Sequence, residues 1–241
     1  MVLVILTGGG WPASAEPAQA PAAAGKRAMR AARAEGSIKI DGVLSEPDWQ
    51  RAEASSSFMT RYPKQGMPAR PDTEVRVLYD GEALYVGARC HDPSPGEIVA
   101  RIGRRDSWIE SDSFAVYIDS RHDHRTCFWF RLNAAGVQMD GTCFDENEQT
   151  PDWDGVWTAA ARIDDQGWTA EFRIPLRLLR YDPAEEVTFG INFARWVSRL
   201  RQESWWQHIP RESGRLVSGF GELRELHLPH RPLDLRLIPY V

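Results

Sequence analysis

The sequence has little of several features that mark common protein classes. Its 29 lysines and arginines are mixed with 34 aspartates and glutamates, so it lacks the basic stripe with which nucleic-acid binders neutralise phosphates. It has no apolar run of about 20 residues, so no membrane-spanning helix is expected. It also lacks G-x-S-x-G, P-loop and H-E-x-x-H motifs. This argues against the enzymes that those motifs serve.

Tryptophan, by contrast, is abundant. Eight of the ten tryptophans follow residue 100, a density typical of a β-rich core, a flat binding surface or both. Strand-like alternation is clearest between Asp112 and Gly141. There, even-numbered residues from 128 to 132 are apolar, and the odd-numbered ones include Arg131 and Asn133. We expect the even-numbered side chains to fill the interior and the odd-numbered ones to face outward.

Arg131 and Asn133 place a guanidinium and an amide on the same outer face, beside the ring of Trp129. Such a face suits a polar, hydroxyl-rich ligand, because arginine and asparagine both donate hydrogen bonds to hydroxyl oxygens. A solvated sheet face with no ligand is the alternative interpretation.

The remaining strands follow one another at roughly ten-residue spacing, without the alternation of strands and helices that marks a parallel sheet. Hairpins are predicted around Asp80-Gly81 and at residues 164–167, and a long strand over 187–197. A short strand at 37–40 and a helix beginning near Pro47 precede them. The pattern predicts an all-β fold, an antiparallel β-sandwich with two or three helical turns.

The two ends of the chain differ from this central part. Residues 1–15 resemble a weak signal peptide, with a disordered N-terminus as the alternative. Residues 16–36 form an Ala/Pro-rich tether with a helical turn expected at 26–34. The sandwich is expected over 37–228, and 229–241 begin a new alternating strand of a longer, truncated β-rich segment.

The three cysteines are Cys90, Cys127 and Cys143. A three-residue loop, Ala134 to Gly136, would pair Asn133 with Val137 and place Cys127 opposite Cys143. A disulfide between them is then expected if the protein is exported. A four-residue loop would break this match and leave two buried thiols.

Several motifs together resemble a known family. These motifs are I-K-I-D-G-V-L-S-E-P-D-W, T-E-V-R-V-L-Y-D-G-E-A-L-Y-V, D-S-F-A-V-Y-I-D, F-R-L-N-A-A-G, G-W-T-A-E-F-R-I-P and F-G-E-L-R-E-L. In this order, between residues 37 and 228, they resemble carbohydrate-binding module family 9. The chain is most similar to the version found at the N-terminus of a bacterial family of unknown function. There the domain precedes an outer-membrane-barrel-like segment.

The resemblance implies that one concave sheet holds a sugar, with Trp108 as the stacking platform and Arg131 and Asn133 as hydrogen-bond donors. Two departures weaken this expectation. Ala115 stands where relatives carry a gripping carboxylate, and residues 210–219 lack the second tryptophan of the sugar clamp. Trp206 is the nearest substitute, although packing is the alternative role for it.

Other candidate groups receive simpler interpretations. Structural calcium is the cofactor that the resemblance leaves open, with oxygen ligands from Asp41, Glu46 and the loop 145–154. The histidines of His122-Asp123-His124 are expected to be exposed. The remaining tryptophans in strand or helix patterns are expected in the core: Trp49, Trp157, Trp168 and Trp196.

The sequence thus predicts a non-catalytic carbohydrate-binding-like module of an exported protein of the periplasm or outer membrane. An oligo- or polysaccharide is the expected partner, and a role as an accessory domain in polysaccharide degradation follows from the resemblance. The alternative is a periplasmic plug or docking domain for a following outer-membrane barrel, with a vestigial sugar groove. A glycosidase would need two suitably spaced carboxylates, and none stands out from the acidic loops.

Overall fold

A computed structural model describes residues 25–229 of the chain. Two sheets, in which most neighbouring strands are antiparallel, pack face to face. This confirms the predicted β-sandwich. In this range no helix has the length and apolarity to cross a membrane. The predicted signal peptide, the first part of the tether and the segment after Pro229 lie outside the described residues.

Fourteen strands and one α-helix are assigned within this range. The strands are β1 (Ala28–Arg30), β2 (Ala32–Arg33), β3 (Met59–Tyr62), β4 (Thr73–Tyr79), β5 (Ala83–His91), β6 (Ser113–Asp119), β7 (Cys127–Asn133), β8 (Gln138–Phe144), β9 (Glu148–Thr150), β10 (Thr158–Asp164), β11 (Gly167–Pro175), β12 (Val187–Val197), β13 (Gln202–Trp205) and β14 (Gly221–Leu226). Helix α1 spans Pro47–Arg51, and 3₁₀ turns span Pro95–Glu97, Leu176–Leu178, Arg211–Ser213 and Val217–Gly219.

The larger sheet has nine strands in the order β1-β14-β12-β6-β7-β8-β9, with β13 joining β12 to β3. The smaller sheet has five strands in the order β10-β11-β5-β4-β2. Inward-facing side chains of the large sheet, such as Phe114, Phe130 and Phe193, meet Phe172 of the other sheet in a continuous core. The predicted inward direction of the even-numbered residues of β6 and β7 is therefore correct.

The outer faces of both sheets are partly covered by the chain itself. Helix α1 packs Trp49 against the small sheet so closely that a Cβ on Gly87 of β5 would lie 3.0 Å from the indole. On the large sheet, the segment 205–220 covers Tyr117 and Trp129. One end of this outer face stays open.

The N-terminal segment differs from its prediction. Residues 28–33 do not form a helical turn but two short strands, β1 paired in parallel with β14 and β2 paired in parallel with β4. The predicted strand at 37–40 is irregular instead, with Ile38 packing under α1. Edge pairing with preformed strands determines the structure here, because local propensity in an Ala-rich segment is weak.

Candidate functional site

A cavity with a volume of about 690 Å³ lies at the open end of the large sheet. We call it the groove. Its lining combines aromatic, hydroxyl and charged side chains: Tyr62, Ser107, Trp108, Ile109, Glu110, Ser111, Ser113, Arg131, Asn133, Val137, Met139, Trp196 and Arg201. This volume and mixture are typical of small-molecule sites.

The strand register aligns the groove residues in two rows across the outer face. Trp196 of β12 lies opposite Ser113 of β6, which lies opposite Asn133 of β7. The next row places Arg131 between Ala115 of β6 and Met139 of β8. Because side chains two residues apart share a face, both rows point to the same side of the sheet.

Arg131 and Trp108 meet in the groove, as the sequence predicted for the two residues. The guanidinium carbon of Arg131 lies 4.7 Å from the centre of the Trp108 ring. Trp108 is 73% exposed, so most of the indole remains open to solvent. A cation–π contact at an exposed site contributes about 0.5–1 kcal/mol, enough to bias the indole toward this position.

Beneath the groove, Arg131 also lies beside the Tyr117 hydroxyl. Burial raises the pKa of Tyr117, and the nearby charge of Arg131 acts in the opposite direction. No aspartate or glutamate of residues 25–229 forms an ion pair with Arg131, whose Nε is buried without a hydrogen-bond partner. Packing between Trp108 and Tyr117, and not a carboxylate, therefore holds the guanidinium.

Asn133 lines the groove but uses most of its amide within the chain. It is 6% exposed. Its side-chain nitrogen donates to the carbonyl of Arg101 at 2.8 Å, and its side-chain oxygen accepts from the amides of Ala135 and Val137 at 3.0 and 2.8 Å. Asn133 thus fixes the β7–β8 turn and the base of the loop 101–111 that carries Trp108. One side-chain N–H remains for a ligand.

Trp196 is the groove residue that the sequence reasoning missed. We expected it in the core, but it is half-buried and lines the groove. Its parity in β12 is that of Asn192 and Ala194, opposite to Ile191 and Phe193 of the interior. Counting residues along the strand would have found it. Trp49, Trp157 and Trp168 are buried as expected.

Trp206 is not in the groove, and its prediction as a ligand-binding residue is corrected. Only 1% of it is exposed. Its ring packs against Phe193 of the interior, and its indole N–H donates to the Ser55 hydroxyl at 2.7 Å. Strand β13 ends at Trp205, and the chain then turns so that Trp206 enters the core.

The β7–β8 hairpin adopts the register of the three-residue loop. The Asn133 amide donates to the Val137 carbonyl at 3.0 Å, and Cys127 lies opposite Cys143. The two cysteines are joined in a disulfide, and Cys90 is a buried free thiol. Because the loop length fixes the register of a hairpin, the three-residue loop is correct and the four-residue loop is not.

The residues expected to bind calcium have partners in the chain. Asp41 pairs with Lys39 at 2.9 Å, and Glu46 accepts from the Lys39 amide at 3.2 Å. In the loop 145–154, Asp145 pairs with Arg125 at 3.1 Å and Asp154 with Arg105 at 3.0 Å. Glu46 Oε2 is buried without a partner, but in the described residues neither Asp41 nor Glu46 belongs to a group of three ligand atoms within 4.8 Å of one another, so the expected calcium site is not assembled there.

Two other groups of ligand-type side chains occur in the described part of the chain. Asp106, Asp140 and Asp154 lie within 4.8 Å of one another, but Arg105 donates to Asp140 and Asp154 and supplies the positive charge. The rings of His122 and His124 are in contact and half-buried, not exposed as expected. The backbone amides of Asp123 and His124 donate hydrogen bonds to the buried carboxylate of Asp119 and so shape this turn.

Comparisons with known proteins agree with this architecture. Residues 40–201 match the family described as carbohydrate family 9 binding domain-like. A family 9 carbohydrate-binding module from Caldicellulosiruptor kristjanssonii, solved with cellotriose, shares 18% identity and a TM-score of 0.59, over 89% of this chain and all of that one. A candidate carbohydrate-binding protein from Bacteroides uniformis ATCC 8492 shares 13% identity and a TM-score of 0.65, over 83% and 99%. No curated protein matches the sequence.

Proposed function

Because this chain belongs to the carbohydrate family 9 binding domain-like family, we propose that it is a non-catalytic module that binds an oligo- or polysaccharide in the groove. One observation carries the proposal: Arg131, free of any acid partner in the described residues, lies under the exposed ring of Trp108 in an open cavity. A second C. kristjanssonii structure of a family 9 module is a glucose complex, at 17% identity and a TM-score of 0.60.

The chemistry of the groove suits a pyranose ring. The C–H faces of a sugar pack on indole, and Trp108 and Trp196 both present indole surface to the groove. Arg131 then donates to ring hydroxyls, together with the remaining N–H of Asn133. Trp196 replaces Trp206 as the second aromatic contact of the proposal.

The proposal assigns binding and no reaction. Glycoside hydrolysis uses two carboxylates about 5–10 Å apart. The groove lining contains one acid, Glu110, at an exposed position 3.9 Å from Arg101. The groove therefore holds a sugar in place without the second carboxylate that hydrolysis requires.

A glycan array followed by calorimetry tests the proposal. We expect the protein to bind at least one glycan class, and Trp108→Ala and Arg131→Ala to weaken that binding about tenfold or more. Phe144→Ala is a matched control, because Phe144 is also an exposed aromatic but lies outside the groove. A folded protein that binds no glycan of a broad panel would refute the proposal.

We place the module in an exported protein of the periplasm or outer membrane, as an accessory to polysaccharide degradation. The disulfide between Cys127 and Cys143 supports this placement, since disulfides persist in oxidising compartments. Fractionation of cells that make the full protein checks it. Recovery of the protein in the reduced, cytosolic fraction would contradict the placement.

A second candidate function is docking to the segment that follows Pro229. It is favoured by Ile102, which is 88% exposed on the loop that also carries Trp108. Contiguous exposed apolar surface is typical of an interaction site, and Ile102 and Trp108 are both exposed on this loop. Chemical cross-linking of the full protein would join this loop to the later segment, and Ile102→Ser would reduce the yield. Unchanged yield would exclude this contact.

A further inference from the structure

We propose that the groove prefers an anionic sugar unit, one that carries a carboxylate or a sulfate group. The inference rests on the proposed function and adds the chemical class of the ligand. It comes from the charges in the groove, which the binding of neutral sugars does not explain.

Two arginines of the groove, Arg131 and Arg201, form no ion pair with any acid of residues 25–229. Other arginines nearby do. Arg61 pairs with Glu203 at 3.7 Å, Arg199 with Asp92 at 2.7 Å, and Arg105 with Asp154 at 3.0 Å. In a chain of net charge −5, two unpaired guanidinium groups at one cavity indicate where an acid from outside would bind.

The strand register explains why Arg131 is unpaired. Its direct cross-strand neighbours are Ala115 on β6 and Met139 on β8. Side chains directly opposite each other in a sheet lie about 5 Å apart at their Cβ atoms, so an acid at either position would reach the guanidinium. Both positions are uncharged, and the space beside Arg131 is left to the ligand.

Arg201 joins Arg131 from a different element. It lies in the turn between β12 and β13, where its amide donates to the Ser198 carbonyl at 3.0 Å and its φ is 46°. Its exposed side chain lines the same cavity. The lining contains two arginines, Arg131 and Arg201, and one acid, Glu110, so its net charge is one positive.

Hydrogen-bond capacity favours the same ligand. Arginine offers five N–H donors and no acceptor. Among the groove acceptors, the Asn133 oxygen already receives two amides, and the Ser111 hydroxyl donates to Val99 and accepts from Arg101. Hydroxyls of a neutral sugar need acceptors as well as donors, whereas a carboxylate or sulfate only accepts. Glu110 and the hydroxyls of Tyr62, Ser107 and Ser113 remain as acceptors, and the two guanidinium groups add donors that a carboxylate or sulfate would match.

The test compares oligosaccharides of one backbone whose C6 group is neutral or anionic, with the methyl ester as the neutral match to the carboxylate. Cello-oligosaccharides are titrated beside the same chains oxidised to carboxylates at C6, their methyl esters, and their 6-O-sulfates. We expect the anionic chains to bind at least tenfold more tightly than the neutral chains and the esters. Added salt should reduce this preference, because it screens charges at an open site. The carboxylate and sulfate arms show which anion the groove takes.

Variants locate the preference. Arg201→Gln should reduce the anionic-to-neutral affinity ratio at least threefold, and Arg177→Gln, an exposed arginine outside the groove, should leave it unchanged. Met139→Glu supplies an internal acid opposite Arg131, and Met139→Gln has a similar shape without the charge. The ratio should be at least tenfold lower with Glu than with Gln, while thermal unfolding confirms that both variants are folded.

Each result separates this inference from the proposed function. Equal affinity for neutral and anionic chains would overturn the inference and leave sugar binding intact. A charge preference that Arg201→Gln and Met139→Glu both leave unchanged would place the anion site outside the groove and also overturn it. Failure of all four ligands, together with an empty glycan array, would refute both.

Discussion

The two sheets each present an aromatic outer face, and the chain treats these faces differently. On the small sheet, α1 and the segment before it cover the face with Trp49 and enclose the carboxylate of Glu171. On the large sheet, the segment 205–220 covers Tyr117 and Trp129 but stops short of Arg131 and the loop 101–111. Trp49, buried against the small sheet, stabilises the fold. Trp108 and Trp196, at the open end of the large sheet, are available to a ligand.

The largest expected effect breaks the closed face. Trp49→Ala removes a fully buried indole that packs on Gly87 and should lower the free energy of unfolding by about 3–5 kcal/mol. Chemical denaturation measures the change. Trp108→Ala is the matched control on the open face, and its expected effect on stability is below about 1 kcal/mol. Equal losses in both variants would contradict the distinction between the faces.

Glu171 makes the closed face sensitive to pH. Burial raises the pKa of Glu171 to about 7. The amides of Asp41 and Gly42, which donate to one carboxylate oxygen, act in the opposite direction and lower the pKa. Between pH 4.5 and 7 the unfolded carboxyl loses its proton and the folded one keeps it. Unfolding is therefore easier at higher pH, by about 2–3 kcal/mol across this window.

Denaturation of the wild type and of Glu171→Gln at pH 5 and pH 8 checks this dependence. The substitution removes the titrating group, so its unfolding free energy should vary less between the two pH values than that of the wild type. An identical pH dependence in both proteins would show that Glu171 is not the responsible carboxyl.

Asn133 connects the fold to the open face. Asn133→Ala removes three side-chain hydrogen bonds to Arg101, Ala135 and Val137. We expect a loss of about 1–2 kcal/mol in stability, together with weaker glycan binding, because Trp108 is carried by the released loop. If binding is lost without any change in stability, Asn133 acts on the ligand directly.

Trp196→Ala should cost less stability than Trp49→Ala or Asn133→Ala. Trp196→Ala removes a half-buried ring from the groove, so we expect a cost below about 1.5 kcal/mol in unfolding and about tenfold weaker glycan binding. Trp168→Ala, in the interior, is the contrasting variant. Glycan affinity equal to that of the wild type in Trp196→Ala would remove this residue from the site.

Much of the architecture was predictable because apolar residues alternate through most of each long strand. Strand β12 occupies the predicted residues 187–197, and the register of β7 and β8 followed from one of two loop lengths. The same alternation placed Arg131 outward. It also contained the position of Trp196, which was assigned to the core by its apolar neighbours and not by its parity.

Other features depend on distant partners that no local pattern contains. Arg195 has the parity of the interior and is fully buried, because its guanidinium donates to backbone carbonyls of Asp72 and His91. Trp206 enters the core after an unpredicted turn. The strands at 28–33 form because they pair with β14 and β4 at the edges of the two sheets. The resemblance assigned Trp108 and Arg131 to one site, but the cation–π contact between them was not predictable from the sequence.

The N-terminal strands also determine how the domain responds to mechanical force. Strand β1 is the first strand and β14 the last, and they pair in parallel, with Ala28 opposite Glu222 and Arg30 opposite Arg224. Tension applied through the flanking chain would pull β1 at its start and β14 at its end, in opposite directions. The hydrogen bonds between them would then be sheared together instead of being peeled apart one by one. A domain pulled through both of its ends should therefore unfold in one step, which single-molecule stretching would show as one high rupture force.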